Sequence, residues 1–321
     1  MTKCKFIAVN GDQDDIEPLP FGDSSLENVD HLEILGSHIS ASGLLQDELE
    51  LHMTKRYKSC IKFYNFCREN KLAPLSVKIK ALKACVMSSL LYNCETFGNK
   101  LPKTLEAVYN KLLRCALQVR ANTPILLLYI ETGLLPIKAL VEVRHLKYFN
   151  RFPTTLLEAS NRQVLFEKLS EDPSSYLKYY VQLAETYNNH HEIYSSHLNS
   201  IKMKIRNYAT NGQYKYEMYL KINPNLEPSP LLHCIHPLTT DITRFRLGSH
   251  NLPIEKGRWN RTPRELRICN PCNVLGDEHH VIYDCSLLDR QDLLLSNEIS
   301  HIWTQQDVFQ LFGRLKQTDY L

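Results

Sequence analysis

The sequence predicts a mainly α-helical protein that opens on short β-hairpins and closes on a small zinc-knuckle domain. Three observations carry this expectation. Apolar residues recur at helical spacing through most of residues 47–222. Residues 1–46 instead hold short β-branched runs broken by Gly and Asn-Gly turn signals. Residues 231–321 contain Cys269-Asn-Pro-Cys272, then His280, then Cys285, a ligand set with the number and chemistry of a closed tetrahedral zinc site.

At the N-terminus, residues 3–9 alternate as a strand would, Asn10-Gly11 signals a hairpin turn, and residues 11–15 form an acidic loop. Asp14-Asp15 lacks the aromatic frame of a polymerase turn and reads as solvated. Val29–Leu35 and His38–Ser40 make a second hairpin about Gly36. From Asp47 a stripe of Met53, Tyr57, Cys60, Ile61, Tyr64 and Cys67 predicts a helix, with Lys55, Arg56, Lys58 and Lys62 mostly off the stripe. Asn70–Pro74 breaks it. A second helix is expected over Leu75–Tyr92, with Ile79, Leu82, Cys85, Val86, Ser89 and Leu90 inward and Lys78, Lys80 and Lys83 outward. A third opens at Pro102 and stops at Thr123-Pro124, and a fourth runs from about Ile137 to Arg151. Residues 153–225 are helical but less patterned. His191-Glu192 starts like a zinc-protease helix, but position 195 is Ser, so that motif is rejected. Asn223–Pro230, with three prolines, reads as the linker. A helix over Thr239–Leu247 and further helices between Leu287 and Phe312 complete the expectation.

Charge is segregated. Residues 1–50 carry 2 basic and 11 acidic side chains, residues 51–225 carry 26 and 12, and residues 226–321 carry 10 and 12. A basic helical middle suits a polyanionic partner. A second basic stretch, Arg244, Arg246, Lys256, Arg258, Arg261, Arg264 and Arg267, surrounds Trp259, the combination used for phosphate contact with base stacking. No apolar run of about 18 residues occurs, so no membrane partner is expected, and the N-terminus lacks a signal-peptide core. A nuclear or cytoplasmic location is expected. The cysteines outside the knuckle fall mostly in helical patterns and read as small apolar residues. No Ser or Cys lies in a nucleophile-elbow turn.

In the knuckle, two cysteines separated by two residues present both sulfurs to one ion, and Pro271 stiffens the turn. His280 is preferred over His279 by its spacing to Cys285. All four ligands come from protein, so the zinc would be structural, a clasp for the tail.

Several separated stretches resemble, in order, the C-terminal part of a non-LTR (LINE-type) retrotransposon reverse transcriptase. Leu32–Ile39 is similar to the primer-grip hairpin at the edge of that family's palm. Lys78–Tyr92, Glu95-Thr96 and Asn110–Arg114 are similar to its thumb. Arg244–His250, Gly257–Trp259 and the knuckle are similar to its zinc-binding tail. The resemblance implies a palm-edge segment over residues 1–46, a basic thumb and connector over 47–222, and a zinc-binding domain over 231–321. It implies a primer-grip role for Leu35, Gly36 and Ser37 and zinc ligation by Cys269, Cys272, His280 and Cys285; the basic pattern itself makes Lys55, Arg56, Lys58, Lys62, Arg244, Arg246, Arg258, Trp259, Arg261 and Arg264 the candidates for nucleic-acid contact. The family's aromatic-x-Asp-Asp turn, which holds magnesium for nucleotidyl transfer, has no counterpart here, so no catalytic residue and no activity of its own as an RNA-directed DNA polymerase is expected. The expected partner is RNA, an RNA–DNA hybrid or DNA, with a separately encoded palm as an open option. The alternative is a helical protein-interaction module with a structural zinc.

Overall fold

The computed structural model describes residues 4–9, 17–22, 24–42, 45–96, 103–155, 176–318 and 320. The chain is mainly helical, with a few short strands. The Asn10-Gly11 turn, the acidic loop and its Asp14-Asp15 pair lie outside the described residues. Strands β1 (Lys5–Phe6), β2 (Leu19–Phe21) and β3 (Ser24–Asn28) form a small sheet in which β3 pairs parallel to β1 and antiparallel to β2. This sheet is largely exposed on both faces.

Strands β4 (His31–Ile34) and β5 (Ser37–Ser40) form the expected second hairpin, with Ile34 opposite Ser37. Its two turn residues both have positive φ, Leu35 at 50° and Gly36 at 81°, the pattern of a tight primed turn matched to strand twist. Alternation along β5 buries His38 and Ser40 against helix α1 (Leu45–Glu69).

The inward face of α1 is His52, Cys60, Phe63 and Cys67. Tyr57, Ile61 and Tyr64, expected inside, are instead 45%, 48% and 42% exposed. The apolar stripe is wider than the surface that α3 (Lys103–Leu117) covers, so its edge faces solvent.

The second helix departs from the expectation in a definable way. It starts as α2 (Leu75–Ala81), becomes π-helical over Leu82–Met87 and closes at Ser88–Leu90. A π-turn inserts one extra residue per turn and rotates the helix beyond it. Leu82, Val86, Met87, Leu90 and Leu91 are buried, while Cys85 is turned outward. Lys78, expected on the solvent side, is 1% exposed, with its ammonium donating to the Lys71 carbonyl at 2.8 Å.

Helices α4 (Ile125–Thr132), α5 (Ile137–Thr155), α6 (Tyr176–Thr186), α7 (His190–Thr210) and α8 (Tyr214–Ile222) complete the basic middle. Pro124 precedes α4, and Gly133 ends it in the left-handed region. The Asn189 side chain caps α7 by accepting from the His191 and Glu192 amides, and the Glu192 carboxylate accepts from the Asn188 amide at 2.9 Å. The His191-Glu192 pair is thus helix-start chemistry.

The proline-rich stretch after α8 is not a free linker. The Ser229 amide donates to the Glu131 carbonyl at 3.0 Å, Leu226 is 1% exposed, and Pro228 packs on Gly133. The division at 222/231 also runs through shared packing. Tyr219 joins the core of the first part, while Met218 and Ile222 of the same helix join a second core with Phe245, Trp303 and Phe312. That second core holds α9 (Thr239–Arg246), α10 (Pro253–Trp259), the hairpin β6 (Ile268–Cys269)/β7 (Val274–Leu275), α11 (Glu278–Tyr283) and α12 (Gln306–Leu315). Between Leu287 and Gln306 the chain is mostly turns, with one 3-10 turn at Ile302–Thr304. In place of the helices expected there, the Asp-, Ser- and Asn-rich segment pairs its amides with side chains such as Asp289, Ser296, Gln305 and Asp307.

Candidate metal centre and basic surface

Cys269, Cys272, His280 and Cys285 come together so that their ligand atoms all lie within 4.8 Å of one another. The Cys269 and Cys285 sulfurs are 3.7 Å apart, close to the spacing of about 3.8 Å between two thiolates that share a tetrahedral zinc at about 2.3 Å each. Local structure places each ligand. The β6/β7 hairpin carries Cys269 opposite Val274. The amides of Cys272 and Asn273 both donate to the Cys269 carbonyl, at 3.2 and 2.7 Å, and Asn273 turns through the left-handed region at φ 54°. This is the tight knuckle that aims both sulfurs one way. Asp277 caps α11 by accepting from the His280 amide at 3.0 Å, and the Cys285 amide donates to the His280 carbonyl at 2.8 Å. Imidazole and last thiol therefore sit on one turn.

Two features of the donor set fit a metal. His280 is 6% exposed and its Nε2 is buried with no hydrogen-bond partner, a costly state that coordination would relieve. The Cys272 sulfur accepts from the Ser286 amide at 3.3 Å and faces its hydroxyl at 3.2 Å; these contacts hold its pKa below the ordinary thiol value. Burial pushes the Cys285 thiol up to about 11, aided by Cys269 beside it. The cluster can thus hold a metal ion.

The knuckle is docked tightly. The Gly276 carbonyl accepts from the Ile254 amide at 3.1 Å, and a Cβ on Gly276 would lie 2.6 Å from Pro253 Cγ. Only glycine permits that approach of hairpin to α10.

The primer-grip-like turn is also held in place. The Gly36 carbonyl accepts from Arg56 Nη2 at 3.1 Å, the Leu35 carbonyl accepts from the Tyr92 hydroxyl, and the Arg56 guanidinium lies over the Tyr92 ring at 5.0 Å. Leu35 itself projects, 88% exposed. Lys55 pairs with Glu33 of β4, and this contact holds the Glu33 carboxyl below its usual range. Lys58 and Lys62 are exposed farther along α1.

The other basic candidates divide. Arg261 and Arg264 are exposed, Arg264 lying over the Tyr214 ring at 4.7 Å. Arg258 is half-buried on Glu255. Arg244 is half-buried beside Asp241 at 3.6 Å. Arg246 is no surface contact: it is 2% exposed and makes a two-pronged ion pair with Glu131, at 2.7 and 3.2 Å, under Trp303. The reason is its place on the inner face of α9, where a carboxylate from α4 neutralises it. Trp259, 36% exposed, has one ring face taken by Arg120 at 3.6 Å. Arg120 also donates to the His250 carbonyl at 2.7 Å and to Asn251 Oδ1, so it fastens the helical body to the C-terminal domain.

Sequence reasoning missed the buried polar seam of Glu131, Arg246, Tyr219 and Asn223 and the inward Lys78. A carboxylate such as Glu131 at the end of an otherwise apolar run, Ile125–Ile130, was the available signal for the first. Among the described residues no helix is long and apolar enough to cross a membrane. No protein-family model, no curated protein and no solved structure matches this chain.

Proposed function

We propose that this chain is a nucleic-acid-binding fragment related to LINE-type reverse transcriptases, made of a palm edge, a basic thumb and connector, and a zinc-clasped tail, with no polymerase centre of its own. The observation that supports this best is the β4/β5 turn pinned to α1 by Arg56 and Tyr92, beside a helix that exposes Lys55, Lys58 and Lys62 together with Tyr57, Ile61 and Tyr64. Ammonium groups next to flat apolar side chains suit a duplex backbone contacted without reading sequence. Cys269, Cys272, His280 and Cys285 would hold a structural zinc that keeps the Arg261 and Arg264 segment ordered. The test is binding of a short RNA–DNA hybrid by fluorescence anisotropy. A Lys58→Glu/Lys62→Glu variant is expected to weaken binding at least about tenfold, because it reverses two phosphate contacts; an unchanged affinity rejects the reading.

The same exposed strip of Tyr57, Ile61 and Tyr64, which borders a groove with Val108 and Leu112, favours a second reading, a helical protein-interaction module. That reading predicts little affinity for single strands, duplex or hybrid alike.

A further inference from the structure

A cavity of about 670 Å³ opens into the helical body, on residues that the nucleic-acid reading does not use. That size lies within the roughly 300–1,000 Å³ of small-molecule sites. Tyr109 of α3 and Tyr129 of α4 line its buried end. Their hydroxyls are engaged: Tyr109 donates to the Leu135 carbonyl at 3.1 Å and Tyr129 to Asn110 Oδ1 at 2.7 Å. The π-helical turn contributes Leu82 and Met87 to the wall, and α5 contributes Leu140 and Val143. Leu226 and Pro228 of the proline-rich stretch complete it.

Two backbone irregularities border this cavity. One is the π-turn itself. The other is Leu226, buried at a φ of 52°, in the left-handed region that a leucine enters only at a cost. Such features collect at binding sites. The stretch that carries Leu226 is fastened rather than loose. The Ser229 amide donates to the Glu131 carbonyl at 3.0 Å, and the Lys202 ammonium donates to the Asn225 carbonyl at 3.2 Å and to the Glu227 carboxylate at 2.9 Å.

Charge gathers at the mouth. Lys83 of the π-turn and Lys147 of α5 are exposed there. Arg144, one turn before Lys147, donates to the Leu91 carbonyl at 2.6 Å and lies 3.9 Å from Glu95. Glu227, the carboxylate among the lining residues, is already held by Lys202. The rim is therefore cationic and the interior is hydrocarbon and aromatic ring. Among the described residues, no lining side chain has a buried polar atom without a partner. The interior thus offers nothing to read a base or a sugar, and it suits an apolar chain that ends in one negative charge.

We propose that this cavity binds a carboxylate of the fatty-acid class, its hydrocarbon chain against Leu82, Met87, Tyr129 and Val143 and its carboxylate at the mouth beside Lys83, Arg144 and Lys147. The chain supplies most of the affinity, roughly fourfold for each methylene buried. The rim cations set which end stays in solvent, and exposed ion pairs of this kind add a smaller factor.

The test uses the full chain loaded with zinc and the fluorescent fatty acid cis-parinarate. The expected result is saturation at one probe per chain, with laurate displacing it at least about tenfold better than octanoate, which has four methylenes fewer. Lys83→Ser/Lys147→Ser changes two exposed side chains; it should weaken laurate about fivefold and leave 1-dodecanol unchanged. Leu198 lies at the rim, 36% exposed, and Leu198→Trp should fill the mouth and weaken the probe at least about tenfold. Binding that does not saturate at one per chain overturns the proposal, and so does equal displacement by laurate and octanoate. Probe affinity unchanged in Leu198→Trp, or laurate affinity unchanged in the lysine variant, overturns it as well. So does recruitment of the chain to phosphatidylglycerol vesicles while free laurate leaves the probe in place. The chain-length comparison is made on the parent protein and does not depend on a variant folding, and no arm depends on nucleic-acid binding.

Discussion

Replacing Arg246 by Met would leave Glu131, 0% exposed, with its charge buried and its two charged hydrogen bonds gone. Arg246 reaches Glu131 at 2.7 Å while its guanidinium lies over Trp303 at 4.9 Å, and the Tyr219 hydroxyl donates to the other carboxylate oxygen at 2.7 Å. Removing one member of such a pair costs about 3–5 kcal/mol. With a urea slope of about 3 kcal/mol/M for a chain of this size, the midpoint falls by roughly 1–1.7 M. Trp303 touches the site, so its fluorescence in a Trp259→Phe background reports the transition directly. The control is the triple variant Glu131→Met, Tyr219→Phe, Arg246→Met. It removes the charge with its partners, and an apolar seam of similar volume is often neutral or stabilising. A cost under about 1 kcal/mol for Arg246→Met, or a triple variant as unstable as the single one, would contradict a buried ion pair that matters to stability.

Three further outcomes are expected. Burial lowers the pKa of both His52 and His145, and a proton on the buried, unpartnered Nδ1 of His145 would find no acceptor. Both are therefore neutral when folded and bind a proton more readily when unfolded, so stability holds above about pH 6.5 and falls below it, by up to about 1.4 kcal/mol per pH unit for each histidine. Urea midpoints at pH 7.5 and 5.5 check this, and His145→Asn should flatten the change. Gly36→Ala places a Cβ 3.0 Å from Arg56 Nη2 at a φ of 81°, which should cost about 1–2 kcal/mol and release Arg56 from the turn; an unchanged urea midpoint would contradict the pinned hairpin. One zinc per chain is expected by elemental analysis, and Cys272→Ser should retain little of it after dialysis; a stoichiometry equal to the parent removes Cys272 from the ligand set.

The metal cluster was legible because its signal is local. Cys-x-x-Cys closes readily into a knuckle, and Asp277 at a helix cap orients His280 within a few residues. Helix existence was legible for the same reason, since Pro74 marks the break between α1 and α2. Helix faces were less so. The π-turn at Leu82–Met87 moves Cys85 outward and Met87 inward, and periodicity at 3.6 residues cannot register an inserted residue. Lys78 and Arg246 read as solvent-facing because lysine and arginine usually are. Their burial depends on groups the local pattern does not reveal: Glu131 lies 115 residues before Arg246. The stretch 223–230 has linker composition, yet Glu131, Gly133 and Lys202 from distant helices fasten it.

The proposed nucleic-acid binding should show in its dependence on salt. Affinity for an RNA–DNA hybrid, measured from about 50 to 200 mM monovalent salt, should fall log-linearly with a slope of about −0.9 per phosphate neutralised. Removing Lys58 and Lys62 should reduce that slope by about two. Affinity that stays flat across the range, or a slope unchanged by the two substitutions, would contradict phosphate contact by this face of α1.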